Sequence, residues 1–145
     1  MKIAILTLPL LLSFAFGCAP SGPAPVASKG IVKTKNGRPC DNALVVFHPR
    51  DVGRLNDPKP VAKTDGEGRF VLRTLSENDG ALPGEYAVTV VWPGKDAKAS
   101  KISMTGEGEA VGTDQLKGKF GDPNKPLLNA TIPIKGASDI MLVVD

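Results

Sequence analysis

Few residues in this sequence are of a type that does chemistry. There is one histidine, His48, and there are two cysteines, Cys18 and Cys40. A nucleophile–histidine–acid triad would have to use His48, which closes an apolar run just before Pro49, and no G-x-S-x-G elbow accompanies it. A histidine at a strand end is far more often a rim residue than a general base. One His and two Cys are too few for a structural zinc site with four Cys/His ligands. Asp65 and Glu67 stand among glycines in Thr64-Asp65-Gly66-Glu67-Gly68-Arg69-Phe70, which invites a calcium reading. An EF-hand-type loop needs several more oxygen ligands in register, ending in a distant Glu, whereas Arg69 follows here at once. The favoured reading is a tight structural turn, with Asp65 accepting backbone N–H bonds and Gly66 and Gly68 supplying positive φ. No cofactor, no metal and no catalytic residue are expected.

Cys18 is the exception, because of what precedes it. The segment MKIAILTLPLLLSFAFGC has one positive charge, Lys2, then an apolar run from Ile3 to Phe16, then small residues. That run is shorter than the roughly 20 helical residues that span a bilayer core. A basic start, an apolar middle and a small residue before a cut is the pattern of a secretory signal. Ala15-Phe16-Gly17-Cys18 resembles the bacterial lipobox, in which the thiol of the Cys takes a diacylglyceryl group. The resemblance implies a signal peptide over 1–17 and lipidation of Cys18. Ala15 stands where the family has Leu and Phe16 is bulkier than its usual Ala or Ser, so ordinary signal peptidase cleavage is the alternative. A core helix of a cytosolic domain would not run straight into Ala19-Pro20-Ser21-Gly22-Pro23-Ala24-Pro25, which reads as an extended tether. Residues 18–28 are therefore expected to be lipid attachment point and tether. If Cys18 is acylated, Cys40 has no partner in the chain; the rival is a Cys18–Cys40 disulfide in a fully secreted protein. Cys40 lies in the turn-like Gly37-Arg38-Pro39-Cys40-Asp41 and reads as a partly buried bystander thiol.

The elements that position these residues are short β-branched runs alternating with Gly, Pro, Asp and Asn clusters, with no helix-period stripe. Strands are expected at Gly30–Thr34, Ala43–His48, Val61–Thr64, Arg69–Thr74, Glu85–Trp92, Leu127–Ile134 and Ile140–Val144. In the fifth, Tyr86, Val88, Val90 and Trp92 share one face. Pro133 cannot donate to a ladder, so the sixth should lie at an edge or have a free outward side there. The second and last are apolar on both faces and should be central. The fold class is all-β, a seven-stranded sandwich over residues 29–145. Between Trp92 and Leu127 the long stretch Pro93–Pro126 breaks the rhythm. Lys95–Gly112 reads as a mobile solvated loop. Leu116 and Phe120, at i, i+4 spacing, suggest one helical turn on the sandwich rim and mark a candidate interaction loop.

The TDxxGRF turn at 64–70 followed by Pro83-Gly84-Glu85-Tyr86-x-Val88-Thr89-Val90 resembles the carboxypeptidase-regulatory-like domain of the transthyretin-like β-sandwich superfamily. Gly30-Ile31-Val32, Gly37-Arg38-Pro39 and Ala43–Phe47 fit the same pattern, so the firm match covers about Lys29–Trp92. The resemblance implies a transthyretin-like, Ig-like Greek-key sandwich. The enzymes of that superfamily that hydrolyse hydroxyisourate use several His and Arg residues and a Tyr-Arg-Gly-Ser ending, and this chain ends Met141-Leu142-Val143-Val144-Asp145. That activity is not carried over.

A net charge of +3 with both signs interspersed gives no basic patch of the kind nucleic acid needs. The expectation is thus a non-catalytic, monomeric β-sandwich, held to the bacterial envelope membrane by its N-terminal lipid. Its role would be structural or protein-interacting, with an envelope protein as partner. The alternative is a carbohydrate-binding module, which would need exposed aromatic platforms. Only Phe120 lies outside the strands and the signal to provide one.

Overall fold

Seven strands alternate with turns in the order the β-branched runs dictate. The computed structural model describes residues 23–94 and 113–145. The strands are β1 (Ser28–Thr34), β2 (Leu44–Pro49), β3 (Val61–Lys63), β4 (Arg69–Val71), β5 (Gly84–Val91), β6 (Leu128–Ile132) and β7 (Ala137–Val144), with a single 3-10 turn at Val52–Arg54. They form two sheets, one ordered β4-β1-β7 and the other β3-β2-β5-β6. The expected all-β class and two-sheet construction hold. The signal segment 1–17, Cys18 and the Lys95–Gly112 loop lie outside the described residues. Among the described residues no helix is long and apolar enough to cross a membrane.

The core lies between the sheets and follows from period-2 alternation. Val32 from β1, Phe70 from β4 and Leu142 and Val144 from β7 face Val45, Phe47, Tyr86, Val88, Val90 and Ile132 from the other sheet. Phe47 is the pivot. Its ring lies 6.3 Å from that of Phe70 across the interface and 5.7 Å, edge-on, from that of Tyr86. The Tyr86 hydroxyl donates to the Leu82 carbonyl at 2.6 Å and accepts from the Arg54 guanidinium at 2.9 Å. That tyrosine-corner geometry ties the strand to the connection that feeds it.

Three expectations are corrected. β7 is not central: among the described residues it is an edge strand, paired in parallel with β1 alone. Its two apolar faces have different fates, because Leu142 and Val144 enter the core while Met141 and Val143 remain on the outer face. β4 stops at Val71 rather than Thr74 because the chain changes sheets there: Leu72 N–H still donates to Ser28, whereas Arg73 exchanges hydrogen bonds with Val61 of β3. The sandwich starts earlier than the expected residue 29. Val26 and Ala81 exchange backbone hydrogen bonds at 2.8 and 3.0 Å, and Ser28 is buried, so the sandwich begins at Val26. β6 does lie at an edge and ends before Pro133, as the missing N–H requires.

Candidate functional site

An accessible apolar surface is offered by the outer face of the β4-β1-β7 sheet. Alternation along β1 places Lys29, Ile31 and Lys33 on that face. Val71 of β4 and Met141 and Val143 of β7 join them, with Met141 60% exposed. A groove of about 710 Å³ crosses the sheet here, floored by Ile31, Val71 and Met141 and rimmed by Lys29, Lys63 and Arg69 together with Asp65 and Asp139. Arg69 is already engaged, bonded to Asp65 at 3.1 Å and paired with Glu67. A second cleft of about 420 Å³ opens between β6 and β7, lined by Ala130, Pro133 and Ile140 among others.

The titratable groups singled out in the sequence are occupied by architecture. Asp65 accepts N–H bonds from Glu67 and Arg69 at 2.9 and 2.8 Å, and Gly68 takes φ +75°. The Arg69 backbone N–H foremost, with its guanidinium, holds the Asp65 carboxyl below the usual carboxylate range. Gly66 does not take the positive φ expected of it: Gly68 alone of the pair does, and Gly66 occupies the open tip of this turn. Cys40 is fully buried, and burial pushes its thiol up to about 11, against a smaller lowering by Arg38. It is a core residue without thiolate character at neutral pH.

His48 is half-buried and hydrogen-bonded to the Thr89 hydroxyl at 3.0 Å. Burial first, and then Lys59, lower its imidazole from 6.5 to about 4. The folded protein therefore keeps His48 neutral where the unfolded chain takes up a proton. The stability this provides is present in full above about pH 6.5 and is lost as pH falls toward 4. A His48→Asn variant is expected to lose that part of the slope between about pH 6.5 and pH 4. Urea midpoints of both proteins across that range check it, and identical slopes would contradict the assignment.

Leu116 and Phe120 are not an interaction loop. Both are only 6% exposed and belong to the core cluster. Asp114 is the reason: its carboxylate accepts from the N–H groups of Trp92, Leu116 and Gly118, folding the segment back over the sandwich end. The Phe120 carbonyl then accepts from Val90 N–H at 2.9 Å. The exposed aromatic platform that a carbohydrate-binding module requires is not offered by the described residues, because Phe47, Phe70, Tyr86, Trp92 and Phe120 are all buried.

Some organising residues went unread. Asp79 caps the turn before β5, accepting from Thr74, Leu75 and Ser76 N–H at 2.6, 2.9 and 3.0 Å. Burial alone would raise its carboxyl, but these three N–H groups outweigh that and hold it below the usual range. The lysine-bearing outer face was also missed; the Lys29-x-Ile31-x-Lys33 alternation was the available signal. Among the described residues no group of three or more His, Cys, Asp or Glu is placed to hold a metal ion.

No family model matches this chain, and no curated protein matches it. Among solved structures it is similar to a 9R-lipoxygenase from Cyanothece PCC8801, with 15% identity and a TM-score of 0.39 over 87% of this chain and 18% of that one. The chain spans less than a fifth of that enzyme's length, and a likeness this distant carries no argument about fold or activity.

Proposed function

We propose that the protein is a lipid-anchored, non-catalytic β-sandwich of the bacterial cell envelope with a structural or protein-interaction role, its domain being of the carboxypeptidase-regulatory-like, transthyretin-like kind. The observation that carries the interaction role is the apolar, lysine-rimmed outer face of β4-β1-β7, with Met141 and Val143 left exposed on a strand that, among the described residues, is paired on one side only. Large apolar side chains gathered at an open sheet edge mark a surface that meets another molecule. The non-catalytic reading is supported by where the reactive groups are spent: Cys40 in the core, His48 on Thr89, and Asp65, Asp79 and Asp114 on backbone N–H groups. The anchor is supported by the lipobox-like Ala15–Cys18 and by the short distance in sequence from Cys18 to Val26, where the sandwich begins. A diacylglyceryl group supplies two chains, and two are what stable anchoring takes, since one acyl chain binds a bilayer only marginally.

Growth of cells with an alkyne-bearing fatty acid tests this reading. The wild-type protein is expected to carry the label and sediment with membranes, and Cys18→Ser to lose both properties. An unlabelled wild-type protein, or a Cys18→Ser variant that still fractionates with membranes, would contradict it.

A further inference from the structure

A two-sheet sandwich has four sheet edges, and each must be defended against pairing with another chain. The β3 and β4 edges close on each other, because Val61 and Arg73 exchange both backbone hydrogen bonds at 2.9 Å. β6 is only five residues long and runs into Pro133, which has no N–H to offer. β7 is different. It is eight residues long, has no proline or lysine along its length and only one charged residue, Asp139 near its start, and among the described residues pairs only with β1.

The direction of its backbone groups follows from one bond. Lys35 N–H donates to the Val144 carbonyl, so Val144, and by alternation Leu142, turn their backbone toward β1. Met141 and Val143 therefore aim their N–H and C=O groups out of the sheet edge. The same parity puts their side chains on the outer face, where they are 60% and 38% exposed. An added strand would send alternate side chains to opposite sides. Those turned inward would meet the cleft of about 420 Å³ between β6 and β7, where Ala130, Pro133 and Ile140 stand beside Asn129, Thr131 and Asp139. Those turned outward would lie over Met141 and Val143, beside the lysines of β1. Register sets Lys33 next to Val143. Lys29, Lys33 and Lys63 carry no ion pair among the described residues, in contrast to Lys35 and Lys119, which hold Asp145.

We propose that β7 accepts an extended segment of a partner protein as an added antiparallel or parallel strand, with alternate residues facing the mixed β6–β7 cleft and acidic residues facing Lys29 and Lys33. Strand addition of this kind takes its affinity from main-chain bonds and its selectivity from alternate side chains. A second copy is the disfavoured occupant, since it would bring two lysine-bearing faces into one continuous sheet. The inference rests on the interaction role proposed above. It does not rest on the anchor: Cys18→Ser should leave it untouched, so the two readings fail separately.

The test titrates the full chain with a ten-residue synthetic peptide alternating valine and glutamate, beside one alternating valine and lysine. Amide exchange is read residue by residue. The valine–glutamate peptide is expected to slow exchange at Met141 and Val143 by about tenfold or more, while the lysine peptide leaves them unchanged. Met141→Glu alters an exposed side chain and Lys33→Glu a half-buried one on the outer face, outside the core cluster, so thermal melting is expected to stay close to the wild type. Each should weaken the glutamate peptide by about tenfold, the factor that 1.4 kcal/mol represents. Equal binding of both peptides, unchanged exchange at Met141 and Val143, or full affinity in both variants would overturn the proposal. So would self-association that Met141→Glu abolishes, since the edge would then belong to a second copy.

Discussion

Gly80→Ala is expected to destabilise the sandwich by about 3–5 kcal/mol, the sum of a left-handed backbone, a clash and two displaced hydrogen bonds. Gly80 takes φ +88°, and a Cβ built there would stand 1.8 Å from the Val26 carbonyl oxygen and 2.5 Å from its carbon. Both contacts are to backbone, so no side chain can swing aside to relieve them. The strand leading into β1 must move instead, breaking the pair of hydrogen bonds between Val26 and Ala81. Gly37 supplies the control. It has φ +80° with nothing within 4 Å of its Cβ position, so Gly37→Ala should cost only the backbone preference, about 1 kcal/mol. Urea unfolding of both variants checks the comparison, and equal costs would show that the clash at Gly80 is absent. The partly unfastened variant should also show faster amide exchange at Val26 and Ala81.

Phe47→Ala is expected to cost about 3–5 kcal/mol, a large share of the stability of a domain this size. Phe47 is fully buried and touches an aromatic ring from each sheet, Phe70 at 6.3 Å and Tyr86 at 5.7 Å. Removing it leaves a void where the two sheets meet and forfeits both ring contacts, each worth about 0.5–1.5 kcal/mol beyond its buried area. The midpoint of urea unfolding should fall with the slope unchanged, as for a native-state cavity. A cost below about 1.5 kcal/mol would mean that the sheets collapse onto the gap and that Phe47 is not the pivot.

Local chemistry carried most of the fold. Tyr86, Val88, Val90 and Trp92 alternate with residues of the opposite face, and all four do enter the core. The turn at Asp65 was legible because an aspartate followed by glycines on either side of one exposed residue, Glu67, has few other uses. What local chemistry does not contain is sheet order. Ile140–Val144 is apolar on both faces, which reads as a central strand, yet its partner β1 lies more than a hundred residues away and already occupies the centre. Leu116 and Phe120 show the same gap: their spacing places them on one side of a turn, but only Asp114, by gathering three N–H groups, decides that the side faces inward.

The candidate surface was the least legible part for the same reason. Lys29 and Lys33 are close in sequence, but Lys63, Val71, Met141 and Val143 join them only through the pairings β1–β4 and β1–β7. Each residue alone is an unremarkable surface side chain. Together they make an open edge with an apolar, positively charged face, and the edges of β3, β4 and β6 are each closed or shortened by comparison.

The anchored, interacting sandwich proposed for this protein is tested most directly by the intact mass of the chain extracted from membranes, with its N-terminus mapped by fragmentation. The account predicts that residues 1–17 are gone and that the new first residue, Cys18, carries a diacylglyceryl group. An unmodified Cys18, or a chain cut at another position and recovered free of the membrane, would contradict it.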